Sequence, residues 1–160
     1  MGLESEIFPD PPLNVVLVEP EIPPNTGNIG RLCFATASRL HLVEPLGFDL
    51  DEKSLRRAGM DYWNDLDLSV WPSLDKLRSS INDEPNFWFF TTRAKKYISE
   101  VKYLPGDYLV FGRETKGLPF SLIEKEIDNC LRIPMVSSAR SLNLATSVGI
   151  ALYGAINSLS

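Results

Sequence analysis

DYLVFGRETKGLP, residues 107–119, carries an apolar run straight into a glycine, an Arg-Glu pair, a lysine, a second glycine and a proline. The run from Tyr108 to Phe111 does not alternate apolar with polar, which predicts a strand buried on both faces, as in a parallel sheet covered by helices. The loop after it therefore starts at the carboxyl end of a strand, the place where ligands bind in open α/β sheets. Gly112 and Gly117 would let backbone come close to such a ligand. Neither the Lys-Ser/Thr of a P-loop nor a GxGxxG fingerprint occurs in the chain, so the ligand is not read as a triphosphate or a dinucleotide.

Outward from this stretch, strands alternate with helices. LNVVLVE (13–19) is a β-branched strand, and the prolines of EPEIPPN are expected to forbid an immediate helix. Asn25-Thr26 would then cap a helix running to about Ser38, with Ile29, Leu32, Cys33 and Ala37 at helical spacing. LHLVE (40–44) reads as a strand, DEKSLRRAGM (51–60) as a polar, helix-capable segment, and WPSLDKLRSSI (71–81) as a helix. FWFFTT (87–92) is a buried strand and LRIPM (131–135) a short one. Asn143 is expected to cap a final helix to about Leu159. This order predicts an α/β domain with a mostly parallel sheet flanked by helices. Three loops begin where strands end, EPEIPPNTGN, FGRETKGLP and IPMVSSARSLN, and form the candidate site. Leu118, Ile133, Met135 and Leu142 supply apolar walls suited to a flat aromatic base with a polar sugar. The last helix is rich in small residues and, through Ile150 and Tyr153, apolar on more than one side. It is either packed in the interior or shared with a second subunit.

Composition sets the bounds. At 160 residues and 44% hydrophobic, the chain is expected to form one domain, residues 13–160, after a loose arm at 1–12. Apolar stretches fall short of the roughly 20 residues of a membrane helix, and the first residues do not resemble a signal peptide, so a soluble, cytoplasmic protein is expected. Cys33 and Cys130 lack nearby Cys or His partners and read as two buried thiols rather than a disulfide or a metal site. The only histidine, His41, lies between Leu40 and Leu42, which favours a packed role and speaks against a histidine triad. A net charge of −5 argues against a nucleic-acid partner. However, no Lys or Arg precedes Arg31, whereas five carboxylates do, and basic residues then gather around 53–57, 93–96, 113–116 and 132–140.

NTGNIGR (25–31), FGRETKGLP (111–119) and RIPMVSSARSLNLATSVGIALY (132–153) together resemble the three motifs of the SPOUT superfamily of S-adenosylmethionine-dependent RNA methyltransferases, in order and spacing. EPEIPPNTGNIGRLC and RRAGMDYW resemble its minimal single-domain branch, the tRNA (cytidine/uridine-34)-2′-O-methyltransferases. The resemblance covers the chain from about Leu13 to its end. It implies an α/β fold with a C-terminal trefoil knot, S-adenosylmethionine as cofactor with no metal, a tRNA substrate and a homodimer joined through helices that include the last. Carried over by motif position, Phe90, Gly112, Ile133 and Ser141 would contact the cofactor, with Glu114, Gly117, Leu118, Met135, Leu142 and Asn143 shaping its pocket. Arg31, Asn143 and Tyr153 would serve catalysis, and Asn25, Arg31 and Arg140 would meet RNA. A guanidinium stays protonated in proteins, so Arg31 is read as binding an RNA phosphate or polarising the ribose hydroxyl while another group accepts the proton. The sequence departs from the family pattern at Ala139, Ala145 and Gly154, where relatives often carry serine, serine and glutamate. The alternatives are a ribose methyltransferase for another tRNA or ribosomal RNA site, and a knotted RNA-binding protein without turnover.

Overall fold

The computed structural model describes residues 7–51, 53 and 60–159. Most of the helix-capable segment 51–60 and the first six residues of the expected arm lie outside the described residues. Within the rest of that arm, Phe8 packs against the core. Among the described residues, seven strands form one all-parallel sheet: β1 (Asn14–Val18), β2 (Arg39–Val43), β3 (Leu68–Trp71), β4 (Phe87–Phe90), β5 (Lys96–Tyr97), β6 (Tyr108–Phe111) and β7 (Cys130–Arg132). Their spatial order is β3-β2-β1-β6-β4-β7-β5. Strand β6 is therefore central, between β1 and β4, and buried throughout.

Because successive side chains point to opposite faces, β1, β4 and β6 feed two cores. Val15, Leu17, Leu109, Trp88 and Phe90 pack on one face with helices α1 (Pro23–Ala35) and α4 (Leu144–Leu159), through Ile29, Cys33, Val148, Leu152 and Ile156. Val16, Val18, Phe89 and Val110 pack on the other with α2 (Leu74–Ser79) and α3 (Phe120–Lys125), through Leu77 and Ile123. Coverage of both faces explains why these strands lack polar alternation. Cys33 and Cys130 are both buried and free, as expected, and burial pushes both thiols up, Cys130 to about 11.

The start of α1 corrects the sequence expectation. The helix begins at Pro23, with Ile22 as its N-cap, and Asn25-Thr26 lie inside it. Proline is tolerated in the first turn because the N–H it lacks has no intrahelical partner there. The turn is instead held from outside, by a carboxylate described below. By contrast, Asn143 caps α4 as expected, its Oδ1 accepting from Thr146 N–H at 3.1 Å. The strand expected at 131–135 is Cys130–Arg132, and residues from Ile133 onward form a loop.

At the amino ends of the strands, buried polar groups tie the sheet together. The Asp107 carboxylate accepts from Trp88 Nε1 (3.0 Å), Leu104 N (2.9 Å), Asn86 N (3.1 Å) and Asn86 Nδ2 (3.3 Å). His41 takes the packed role expected of it, hydrogen-bonded to Asn14 Oδ1 and Trp71 Nε1. No helix among the described residues is long and apolar enough to cross a membrane.

Candidate active site

Opposite that polar end, the carboxyl ends of β4, β6 and β7 open into a cavity of about 530 Å³, within the range of small-molecule sites. Phe90 and Phe111 pair across β4 and β6, their rings stacked at 4.5 Å between centroids, and both line the cavity. Leu118, Ile133 and Leu142 add apolar wall, and Thr91, Thr92, Ser141 and Ser147 bring hydroxyls. Nine residues carried over for cofactor contact line the space: Phe90, Gly112, Glu114, Gly117, Leu118, Ile133, Met135, Ser141 and Leu142. Arg140 lines it too, whereas Asn143, Asn25, Arg31 and Tyr153 do not.

The two glycines also have a role within the loop itself. A Cβ on Gly112 would lie 2.1 Å from Gly117 C and Leu118 N, so the space it leaves is filled by the loop's own backbone. Arg113 and Gly117 exchange backbone hydrogen bonds of 3.2 and 2.9 Å, which folds the loop back over Gly112. Gly117 sits at φ +66°, a left-handed conformation that favours glycine.

Of the three expected loops, EPEIPPNTGN does not line the cavity; it is bound to one that does. The Glu114 carboxylate accepts from Glu21 N (2.9 Å), Ile22 N (2.7 Å) and Asn25 Nδ2 (3.4 Å). It thus satisfies donors at the start of α1 that no intrahelical acceptor can reach, where an anion also suits the helix dipole. Asn143 Nδ2 donates to Asn25 Oδ1 at 3.1 Å, so one polar chain links Glu114, Asn25 and the cap of α4. In return, Glu21 accepts from Thr115 N and Oγ1, and these hydrogen bonds, backbone first, hold its carboxyl below the usual range.

Charge converges here in a way the sequence could not show. Among the described residues, Arg93, Arg113, Lys116 and Arg140 all line the cavity, against one carboxylate, Glu114. A chain of net charge −5 therefore carries a locally basic mouth. Arg31 lies outside it, exposed on α1. Sequence reasoning passed over Thr91, Thr92, Phe120 and Ser147. The first two were findable, since TTR follows FWFF at a strand's carboxyl end.

The model of the SpoU rRNA Methylase family matches residues 12–153. The chain belongs to this family. A tRNA (cytidine(34)-2′-O)-methyltransferase of Saccharophagus degradans is 48% identical over 146 residues, which span 89% of this chain and 92% of that protein. A solved structure described as giving insight into the 2-OH methylation of C/U34 on tRNA superposes with a TM-score of 0.87 at 40% identity, over 92% of this chain and 95% of that one. The S-adenosylmethionine-bound rRNA methyltransferase of Sinorhizobium meliloti superposes with a TM-score of 0.82 at 26% identity, covering 98% of this chain and 60% of that one. The fold is thus that of the SPOUT methyltransferases, as the motifs implied.

Proposed function

We propose that this chain transfers a methyl group from S-adenosylmethionine to the 2′-hydroxyl of a tRNA ribose, at the wobble nucleotide 34, a cytidine or modified uridine. The observation that carries the reading is the cavity itself, enclosed by GRETKGLP and IPMVSSARSLN at the strand ends and walled for an aromatic base with a polar sugar. Near-full-length similarity to proteins described by that activity supports it.

Phe90, Leu118, Ile133 and Leu142 would hold the adenine, and Ser141 with the backbone of 112–118 would hold the polar parts. When bound, S-adenosylmethionine supplies a sulfonium methyl already activated for transfer. What remains for the protein is alignment and removal of the hydroxyl proton. Arg31 binds a phosphate or polarises the hydroxyl; Asn25 and Asn143 fix the helix that carries it. Arg140 and its basic neighbours hold the RNA backbone.

The same proposal includes a homodimer. Ile150 and Tyr153 of α4 are 41% and 44% exposed, and Phe34 of α1, three residues after Arg31, is 38% exposed, an apolar face on two packed helices. Since Arg31 lies off its own chain's cavity, a second copy seated on this face would bring it to one. A trefoil knot formed by the loops around the cavity, a single catalytic domain from residue 13 to 160 and a place in the cytoplasm complete the reading.

The test is transfer of labelled methyl to bulk tRNA lacking this modification, with nuclease digestion and mass spectrometry to locate it. Label on a 2′-O-methyl pyrimidine at position 34 is the expected result. Label elsewhere would move the target, and cofactor binding without transfer to any RNA would overturn the enzymatic reading.

A further inference from the structure

Phe120 is the most exposed aromatic residue of the described chain, at 57%, although it lines the cavity mouth. It is the first residue of α3, directly after the proline that closes GRETKGLP. The Arg93 guanidinium, from the loop after β4, lies over its ring at 5.2 Å from the centroid. Single exposed apolar residues are ordinary. Phe120 is distinguished by two independent features: it stands at the opening of the site, and a cation from a different loop covers one face of the ring while more than half the residue stays open.

We infer that Phe120, backed by Arg93, is a stacking platform for an unpaired nucleobase of the RNA substrate. The inference rests on the proposed RNA methyl transfer and names how the substrate is held. Proteins that read single-stranded RNA splay bases out and stack them on aromatic rings and guanidinium planes. A ribose brought to the cavity carries its own base, and its neighbours, within reach of the rim. The charge of the chain gives the platform its importance. At −5 overall, long-range attraction for phosphate is weak, so affinity must come from the local basic mouth and from contacts that do not depend on net charge. An aromatic stack is such a contact, and the guanidinium over the ring adds a phosphate-directed charge beside it.

The test separates RNA binding from catalysis by measuring the dissociation constants of a labelled anticodon stem-loop and of S-adenosylmethionine for wild type, Phe120→Ala, Phe120→Trp and Arg93→Gln. Stacking is worth roughly 1–3 kcal/mol per base by alanine substitution, so Phe120→Ala is expected to weaken RNA binding about tenfold or more. Cofactor affinity should stay within about twofold, and Phe120→Trp should restore RNA binding, an outcome a merely structural role would not give. Arg93→Gln should also lower the salt dependence of RNA binding by about one counterion, which Phe120→Ala should not. Unchanged RNA affinity in Phe120→Ala would overturn the inference. So would a parallel loss of cofactor affinity, which would make the ring part of the cofactor wall, or a change in sedimentation, which would make it a subunit contact. Wild-type protein that binds the stem-loop but never methylates RNA would sink the proposed function while leaving the platform testable. Wild-type protein that binds no RNA would sink both.

Discussion

Gly112 is required by the loop's own backbone. An added methyl would lie 2.1 Å from two backbone atoms of the loop folded over it, and backbone cannot swing aside as a side-chain tip can. Gly112→Ala is expected to cost about 3 kcal/mol of stability, as overpacking does, in chemical denaturation. Cofactor affinity should fall together with stability rather than before it, and a fully stable variant with weakened cofactor binding would show that the glycine faces the ligand. His41 makes a second residue-scale case. Trp71 can only donate, so His41 Nδ1 accepts and the proton sits on Nε2, facing Asn14 Oδ1 at 2.9 Å. Burial, only partly opposed by Asp67, pushes this imidazole down to about 4. Its folded value lies below the unfolded one of about 6.5, so the stability it contributes is complete above pH 6.5 and is lost as pH falls from there through 4. The full difference corresponds to about 3 kcal/mol. His41→Gln should flatten the wild-type decline in stability between pH 6.5 and 4; an unaltered slope would mean that carboxylates alone account for it.

At the scale of elements, α1 shows a tertiary contact replacing the local signal at its start, while its end closes on local backbone hydrogen bonds. Its start is held by Glu114, 92 residues away from Ile22, and no reading of PPNT could supply that acceptor. Glu114→Ala is expected to cost about 2 kcal/mol, as lost capping does, and to weaken methyl transfer more than cofactor binding, because it releases the helix that carries Arg31. Equal losses in both would place Glu114 on the cofactor alone. The other end closes with Ser38 N bonded to Cys33 O and Ala37 N to Phe34 O, with Ala37 at φ +52° where such turns favour glycine. Ala37 is exposed, so Ala37→Gly should gain about 1 kcal/mol by relieving the left-handed alanine and raise the melting temperature; no gain would mean that unfolded-state entropy cancels the relief. The central strands were legible because their burial on two faces writes itself as uninterrupted apolar runs, FWFF and YLVF. β3, β5 and α3 were not. LSVW is a half-buried edge strand, KY is two exposed residues given strand form only by pairing to β7, and FSLIEK buries Ile123 alone. The site was legible for a related reason: its motifs lie at the carboxyl ends of the strong strands. What sequence order could not supply was convergence, the meeting of Arg93, Arg113 and Arg140 at one cavity.

For the whole molecule, the position of Arg31 bears on the proposed dimer as the functional unit. It shares α1 with Phe34, and that helix packs against α4, where Leu32 Cδ2 comes within 3.9 Å of the position a Gly149 Cβ would take. Arg31 does not line the cavity of its own chain, so on the proposed dimeric reading it would reach the methyl-accepting ribose from a second copy. Closed two-fold dimers would then hold two composite sites, each with one chain's cavity and the partner's Arg31. Two silent variants can complement each other only in that arrangement. Arg31→Ala removes the arginine and leaves the cavity, while Ile133→Trp fills the cavity and leaves the arginine. Each homodimer is expected to be inactive, with only Arg31→Ala binding cofactor normally. After subunit exchange, half of the dimers should be mixed and carry one intact site, restoring about a quarter of wild-type transfer. An arginine that serves its own chain would give no recovery, since no chain in the mixture would hold both parts. Disrupting the shared face with Ile150→Asp and Tyr153→Asp should give monomers that still bind S-adenosylmethionine and have lost transfer; monomers with wild-type transfer would return the whole reaction to a single chain.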